Sequence, residues 1–181
     1  MFWFKEKISF SCNQCGSCCR EMDVPLSHQD VIRIVEAKTE FDIETFVTLH
    51  PTSKENPDSI LLYGEYQEMY ISNKLSDNSC LFLKDNVCSI YNYRPNPCRI
   101  WPISLNPQKK LHIDNTAQEL VNSACDKSKF KDHKAIREII EEGTQEYIDY
   151  KKIVYEWNIK VDQKIEEQTI EKFIEFAMDF Q

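Results

Sequence analysis

The sequence predicts an α+β protein: a small cysteine-rich metal-binding core with short strands and hairpins, followed by a C-terminal pair of amphipathic helices. Three observations carry that expectation. Residues 12–19, Cys-Asn-Gln-Cys-Gly-Ser-Cys-Cys, hold half of the chain's eight cysteines. Between residues 60 and 113, short apolar runs alternate with turns containing Gly, Pro, Asn and Asp, the pattern of brief strands. Beyond Asp132 the apolar residues recur at three- and four-residue steps, the period of a helix buried on one face. A length of 181 residues suits a single core-forming unit. Within it we separate a cysteine-cluster metal-binding domain, residues 1–130, from a helical extension packed on it, residues 131–181.

In chain order, residues 1–11 read as an extended lead-in whose aromatics, Phe2, Trp3, Phe4 and Phe10, lie over the core. The cysteine-rich turn and an extended connection through Pro25 follow. Ser27 is a helix N-cap, with Asp30 at the third helical position and Val31, Ile34 and Val35 at helical spacing. A second short helix starts near Asp42, sets Ile43, Phe46 and Val47 on one face and stops before Pro51. Residues 51–58 are a surface loop. Two strands, 60–63 and 66–71, flank Gly64 and Glu65. Residues 80–83 and 87–91 form a hairpin about Lys84-Asp85-Asn86 that brings Cys80 towards Cys88. Residues 93–102 contain Pro95, Pro97 and Pro102, too many for an interior strand or a helix, and make a rigid turn presenting Cys98. A further strand pair spans 103–105 and 110–113. One long helix then carries Ile136, Ile139, Ile140, Tyr150, Ile153, Val154 and Trp157, and a last one, residues 169–180, groups Ile170, Phe173, Ile174 and Ala177.

The net charge is −8 and no basic stripe is present, so a nucleic-acid backbone would be repelled and no nucleic-acid partner is expected. No apolar run approaches the roughly 20 residues that span a bilayer. The first residues show neither an apolar signal core nor a small-residue cleavage site, so the expected location is cytoplasmic, without membrane. The three glycines, Gly16, Gly64 and Gly143, build no nucleotide loop. No Ser-His-Asp set or His-Glu-x-x-His motif marks a catalytic residue. A protein partner would dock on the C-terminal helices.

Eight cysteines in a reducing compartment are expected to be ligands or redox groups rather than a disulfide framework. The two-residue spacing of Cys12, Cys15 and Cys18 lets three thiolates converge, with Gly16 and Ser17 suited to the tight turn. Cys19 adjoins Cys18, and on extended backbone the two side chains point apart, so one segment could serve two centres. Cys80, Cys88, Cys98 and Cys125 complete the candidate set, enough for two four-thiolate sites or one larger cluster. A structural zinc site usually shows two separate two-cysteine knuckles, and only one is present. A three-cysteine run favours iron–sulfur ligation, in a 4Fe-4S cluster, with zinc as the alternative. The ferredoxin pattern is nevertheless incomplete, because Cys19 follows Cys18 directly and no proline comes after it. Arg20, Arg94 and Arg99 lie beside cysteines and could offset thiolate charge, or else form ordinary salt bridges. Tyr91, Tyr93 and Trp101 are expected to shield the centre from water. His28 and His50 sit at helix ends, where surface or capping roles outnumber ligation.

Cys12-x2-Cys15-Gly-Ser-Cys18-Cys19-Arg20, Cys80-Leu-Phe-Leu, Cys88-Ser-Ile-Tyr91, Arg94-Pro95 and Cys98-Arg99-Ile-Trp101-Pro102 together resemble the cysteine-cluster (CxxCxxCC) family of zinc- or iron-chelating proteins. The resemblance spans residues 8–125 and implies that the cysteines act together in metal or iron–sulfur binding. It implies no reaction. One branch of the family is associated with lysine N-methylation of flagellin, although this chain shows no Gly-rich loop for S-adenosylmethionine. Three functions follow as expectations: an iron–sulfur protein for electron transfer or support of a partner enzyme, a zinc-stabilised interaction module, or a lysine N-methylase-like modifying enzyme.

Overall fold

The computed structural model describes residues 9–20, 22–130, 133–163 and 167–180. Phe2, Trp3 and Phe4, expected over the core, lie outside them. The first element among the described residues is β1 (Ser9–Ser11), from which the chain passes through the cysteine loop to α1 (His28–Glu36). Ser27 starts that helix: its hydroxyl accepts the Asp30 backbone N–H, while the Asp30 carboxylate accepts the Ser27 N–H. This reciprocal cap satisfies two amides that the first turn leaves without partners.

The second helix is shorter than its spacing predicts. α2 (Ile43–Phe46) is a single turn, and Val47 leaves it as the first residue of β2 (Val47–Pro51). Val47 and Thr48 are β-branched, and the segment pairs antiparallel with β4 (Glu65–Ile71), Val47 opposite Ile71 and Pro51 opposite Gln67. Ladder hydrogen bonds with a long neighbour outweigh a weak helical pattern. β3 (Ile60–Leu62) takes the other side of β4, giving the order β2-β4-β3.

Next come β5 (Leu83–Lys84) and β6 (Val87–Cys88), which pair Leu83 with Cys88; Cys80 lies outside that ladder and bridges to Asn73. The proline-rich stretch, expected as a turn, contains the five-residue α3 (Asn96–Ile100). Its prolines occupy the cap and first turn, where a missing N–H costs nothing, so the rule against proline in helices does not bite. β7 (Ile103–Leu105) and β8 (Leu111–Ile113) form the expected pair. α4 (Gln118–Ala124) and β9 (Asp126–Phe130), which pairs with β1, were not foreseen. The long α5 (His133–Asp162) and α6 (Ile170–Asp179), capped by the Thr169 hydroxyl, complete an α+β architecture. No helix among the described residues is long and apolar enough to cross a membrane.

Two hydrophobic clusters hold these elements. The larger joins α1 and the three-stranded sheet to α5 and α6 through Val31, Ile34, Phe46, Leu62, Trp157 and Phe173. The smaller joins β1, β7, β8, α4 and the start of α5 through Phe10, Ile103, Leu111, Val121 and Ile136. The C-terminal helices thus share the main core with the sheet. α5 also completes the outer edge of β3. Asn158 accepts the Leu61 N–H at 2.8 Å and donates to Ser59 O at 2.8 Å, and the Trp157 indole N–H donates to Leu61 O at 3.1 Å.

Trp157→Ala removes a fully buried indole and leaves the Leu61 carbonyl unpaired. It should lower unfolding free energy by about 3–5 kcal/mol in urea titration. A second prediction concerns His28, which is buried and stacked on Tyr150 with ring centroids 5.9 Å apart. Burial, only partly countered by Asp30 and Asp149, lowers its pKa from 6.5 to about 4. As pH falls from about 6.5 towards 4, the unfolded chain takes up a proton that the folded chain refuses, so stability drops. Urea midpoints in His28→Phe should lose this component of the pH dependence.

Candidate metal centre

The cysteine loop is folded by its own backbone. Gly16 adopts φ +74°, and the Cys19 and Arg20 amides donate back to Gly16 O and Ser17 O, each at 3.1 Å. Cys18, Cys19 and Arg20 therefore form one 3-10 turn. Glycine is required at position 16 twice over. Its φ disfavours a side chain, and a Cβ there would meet Asn86 O and Leu83 Cδ1, each at 2.7 Å. The loop is thus pressed against the β5–β6 hairpin. Arg20 strengthens the same contact by donating to Asn86 Oδ1 at 2.7 Å, with a looser pairing to Asp77 at 3.4 Å. On the opposite side the Asn13 amide reaches Ala124 O, the last residue of α4, at 3.4 Å.

Around this loop all eight cysteines, Cys12, Cys15, Cys18, Cys19, Cys80, Cys88, Cys98 and Cys125, line a single cavity of about 70 Å³. All eight are free thiols. Cys80 is fixed by its amide, which donates to Cys19 O at 2.7 Å. Cys88 is presented by β6 and Cys98 by α3. Cys125 closes α4, its amide reaching back to Val121 O. Cys15 is the exposed member, with its sulfur 3.3 Å from Ser17 Oγ.

The expected divergence of Cys18 and Cys19 does not occur. Their thiols hydrogen-bond each other, and Cys19 is bonded in turn to Cys80. The expectation assumed extended backbone, where neighbouring side chains alternate; in the 3-10 turn they are about a third of a turn apart. These contacts and burial set the acidities. The hydrogen bond with Cys19, followed by burial, pushes the Cys18 thiol far up. The bond from Cys18 favours the Cys19 thiolate, but Cys80 and burial outweigh it and bring Cys19 up to about 12. Burial raises Cys88 and, more strongly, Cys98. Cys18, Cys19, Cys88 and Cys98 are thus held protonated, and a metal binding to them must displace those protons.

The remaining wall is apolar and aromatic, including Phe10, Ile71, Phe82, Ile90 and Trp101, with Phe10 and Trp101 edge-to-face at 6.4 Å. Tyr91 lines the cavity and its phenol bonds to Cys12; Arg94 lies 3.6 Å over the Tyr91 ring and donates to its carbonyl at 2.7 Å. Of the arginines named beside cysteines, Arg94 alone lines the cavity. Arg20 faces the hairpin, and Arg99 pairs with Glu142 at 3.1 Å. Tyr93 is exposed and not part of the wall. Neither histidine reaches it: His28 is under Tyr150 and His50 stacks on Tyr70. The aromatic wall residue Phe82 carried no separate signal, being one apolar residue in an apolar run.

The donor set is soft thiolate, the chemistry that suits zinc and iron–sulfur centres and disfavours magnesium or calcium. Among the described residues, no three His, Cys, Asp or Glu side chains are gathered closely enough to hold one ion as they stand. Gly16→Ala should shift the loop off Asn86, cost more than about 1 kcal/mol and reduce bound metal per chain, read by urea titration and elemental analysis.

The sequence matches the model of a family labelled CxxCxxCC and described as a "putative zinc- or iron-chelating domain", over residues 11–133. No curated protein and no solved structure matches the chain. The match covers the loop, the hairpin, α3 and α4, the elements that deliver every cysteine to the cavity. By motif, extent and donor chemistry, this chain belongs to the CxxCxxCC family of zinc- or iron-chelating domains.

Proposed function

We propose that this protein holds an iron–sulfur centre, one cluster or two, and uses it to transfer electrons or to support a partner enzyme. The observation that carries this reading is the shared cavity: eight thiols from five separate elements and loops face one small, largely apolar space. A lone zinc ion draws four sulfurs to within about 3.8 Å of one another, from tetrahedral geometry at the usual ~2.3 Å bond. A cluster of iron and sulfide spaces its ligands more widely, and two clusters take eight thiols where one zinc ion takes four, which suits the number of cysteines around the cavity. Aromatic cover by Trp101 and Tyr91, and the cation of Arg94 beside the thiolates, are the means by which a protein tunes a cluster's potential.

Anaerobic purification with iron supplied, followed by iron, zinc and acid-labile sulfide analysis, tests this directly. Iron and sulfide in similar amounts, with visible absorption bleached reversibly by dithionite, is the expected result. A colourless protein containing zinc and no sulfide would replace it with the zinc-stabilised interaction module. Cys98→Ser removes a half-buried thiol and should abolish most bound metal. Cys15→Ser acts at the exposed rim and should retain more metal than Cys98→Ser in the same assay.

A further inference from the structure

A second cavity, of about 370 Å³, lies between α5, α3 and the sheet. Its volume falls in the range of small-molecule sites, and its lining has the composition of one: mostly apolar wall with a few polar groups. Leu26, Met69, Ile100, Ile139 and Ile140 provide the apolar surface. The polar groups are acids and phenols. At one end Arg33 bridges Asp30 and Glu146, at 2.7 Å each, so those two carboxylates share one cation. At the other end stand Asp58 and Glu68, and among the described residues neither has an ion-pair partner. Glu68 is held by neutral donors, Asn56 Nδ2 at 2.5 Å and the Tyr70 hydroxyl at 3.3 Å. The Tyr147 hydroxyl donates to Asp58 Oδ2 at 2.7 Å.

Two further observations point to a ligand at that end. Asp58 Oδ1 is buried from solvent and accepts no hydrogen bond, a costly state for a carboxylate oxygen. Tyr150 is 3 % exposed, yet its hydroxyl reaches only Asp58 O, at 3.5 Å, beyond the range of a good O–H···O bond. Two carboxylates without ion-pair partners among the described residues, beside two phenol hydroxyls and an aliphatic wall, complement a positive head on an apolar body.

We infer that this cavity binds a small aliphatic ammonium ion, its head between Asp58 and Glu68 beside Tyr147 and Tyr150 and its chain along Ile100, Ile139 and Ile140. The site is separate from the thiol cavity and holds whether the metal there is iron or zinc. An anion would face Asp58 and Glu68 without a donor cation, and a neutral alcohol would leave both charges uncompensated.

Calorimetric titration of the metal-loaded full chain with n-hexylamine, n-hexanol and hexanoate at neutral pH tests the assignment. Hexylammonium should bind at least about tenfold tighter than hexanol, a difference of about 1.4 kcal/mol, and hexanoate should not bind. Asp58→Asn and Glu68→Gln should each weaken the amine about tenfold and leave hexanol unchanged. Tyr147→Phe, which removes one hydroxyl from a half-exposed ring, should weaken the amine while preserving the unfolding midpoint and metal content of the parent. Equal affinity for amine and alcohol, no amine binding at millimolar concentration, or unchanged amine affinity in folded Asp58 and Glu68 variants would overturn the inference.

Discussion

The thiol cavity stands where two hydrophobic clusters meet, and the rest of the structure depends on that junction. Cys19, Cys80, Cys88 and Cys98 pack against the larger cluster, while Cys12 and Cys125 pack against the smaller. A centre bound by thiols from both sides would tie the two halves of the core, which α5 also spans. Metal affinity is then partly folding free energy, because the ligand set exists only when both clusters are formed. The short strands follow the same logic. Two-residue ladders such as β5–β6 are marginal alone, and here the hairpin is fixed by the glycine loop on one side and Cys88 on the other.

Charge is handled differently in the two cavities. In the first, burial raises the Cys18, Cys19, Cys88 and Cys98 thiols and so keeps them neutral, and among the described residues Arg94 is the basic side chain in its wall. The Arg94 guanidinium is held over the Tyr91 ring, and its side chain donates to the Tyr91 carbonyl. In the second cavity carboxylates line an apolar wall, and Arg33 pairs with only two of them, Asp30 and Glu146. The same chain therefore holds one pocket suited to cations of metal type and another suited to organic cations, for unrelated chemical reasons.

Much of this was legible in the residues, and the limits have physical causes. Ser27 and Asp30 announced a helix start because capping is local, and the apolar stripe of α5 was clear because thirty residues repeat it. The cysteine set was readable because thiols in that spacing have few other uses; their gathering around one cavity was not, since it depends on tertiary contacts. Val47 was misread because four residues of helical spacing cannot reveal a strand partner lying opposite at Ile71. Pro97 was misread because the rule against proline in helices was applied to a helix too short to have an interior. Cys18 and Cys19 were set apart by assuming extended backbone where Gly16 makes a turn. Asp58 and Glu68 gave no sequence signal at all, being two carboxylates among thirty.

α3 is only five residues long, yet its two sides belong to different chemistry. Asn96, Pro97 and Ile100 face the larger cavity, while Cys98 and Trp101, the residue that ends the helix, face the thiols. On its outer side Asn96 hydrogen-bonds Glu146, and Gly143 allows α5 to come so close that a methyl there would strike the Asn96 amide at 2.6 Å. A helix held in this way is a partition: the two cavities share one wall five residues thick along the chain, and neighbouring residues of it, Pro97 and Cys98, line different chambers.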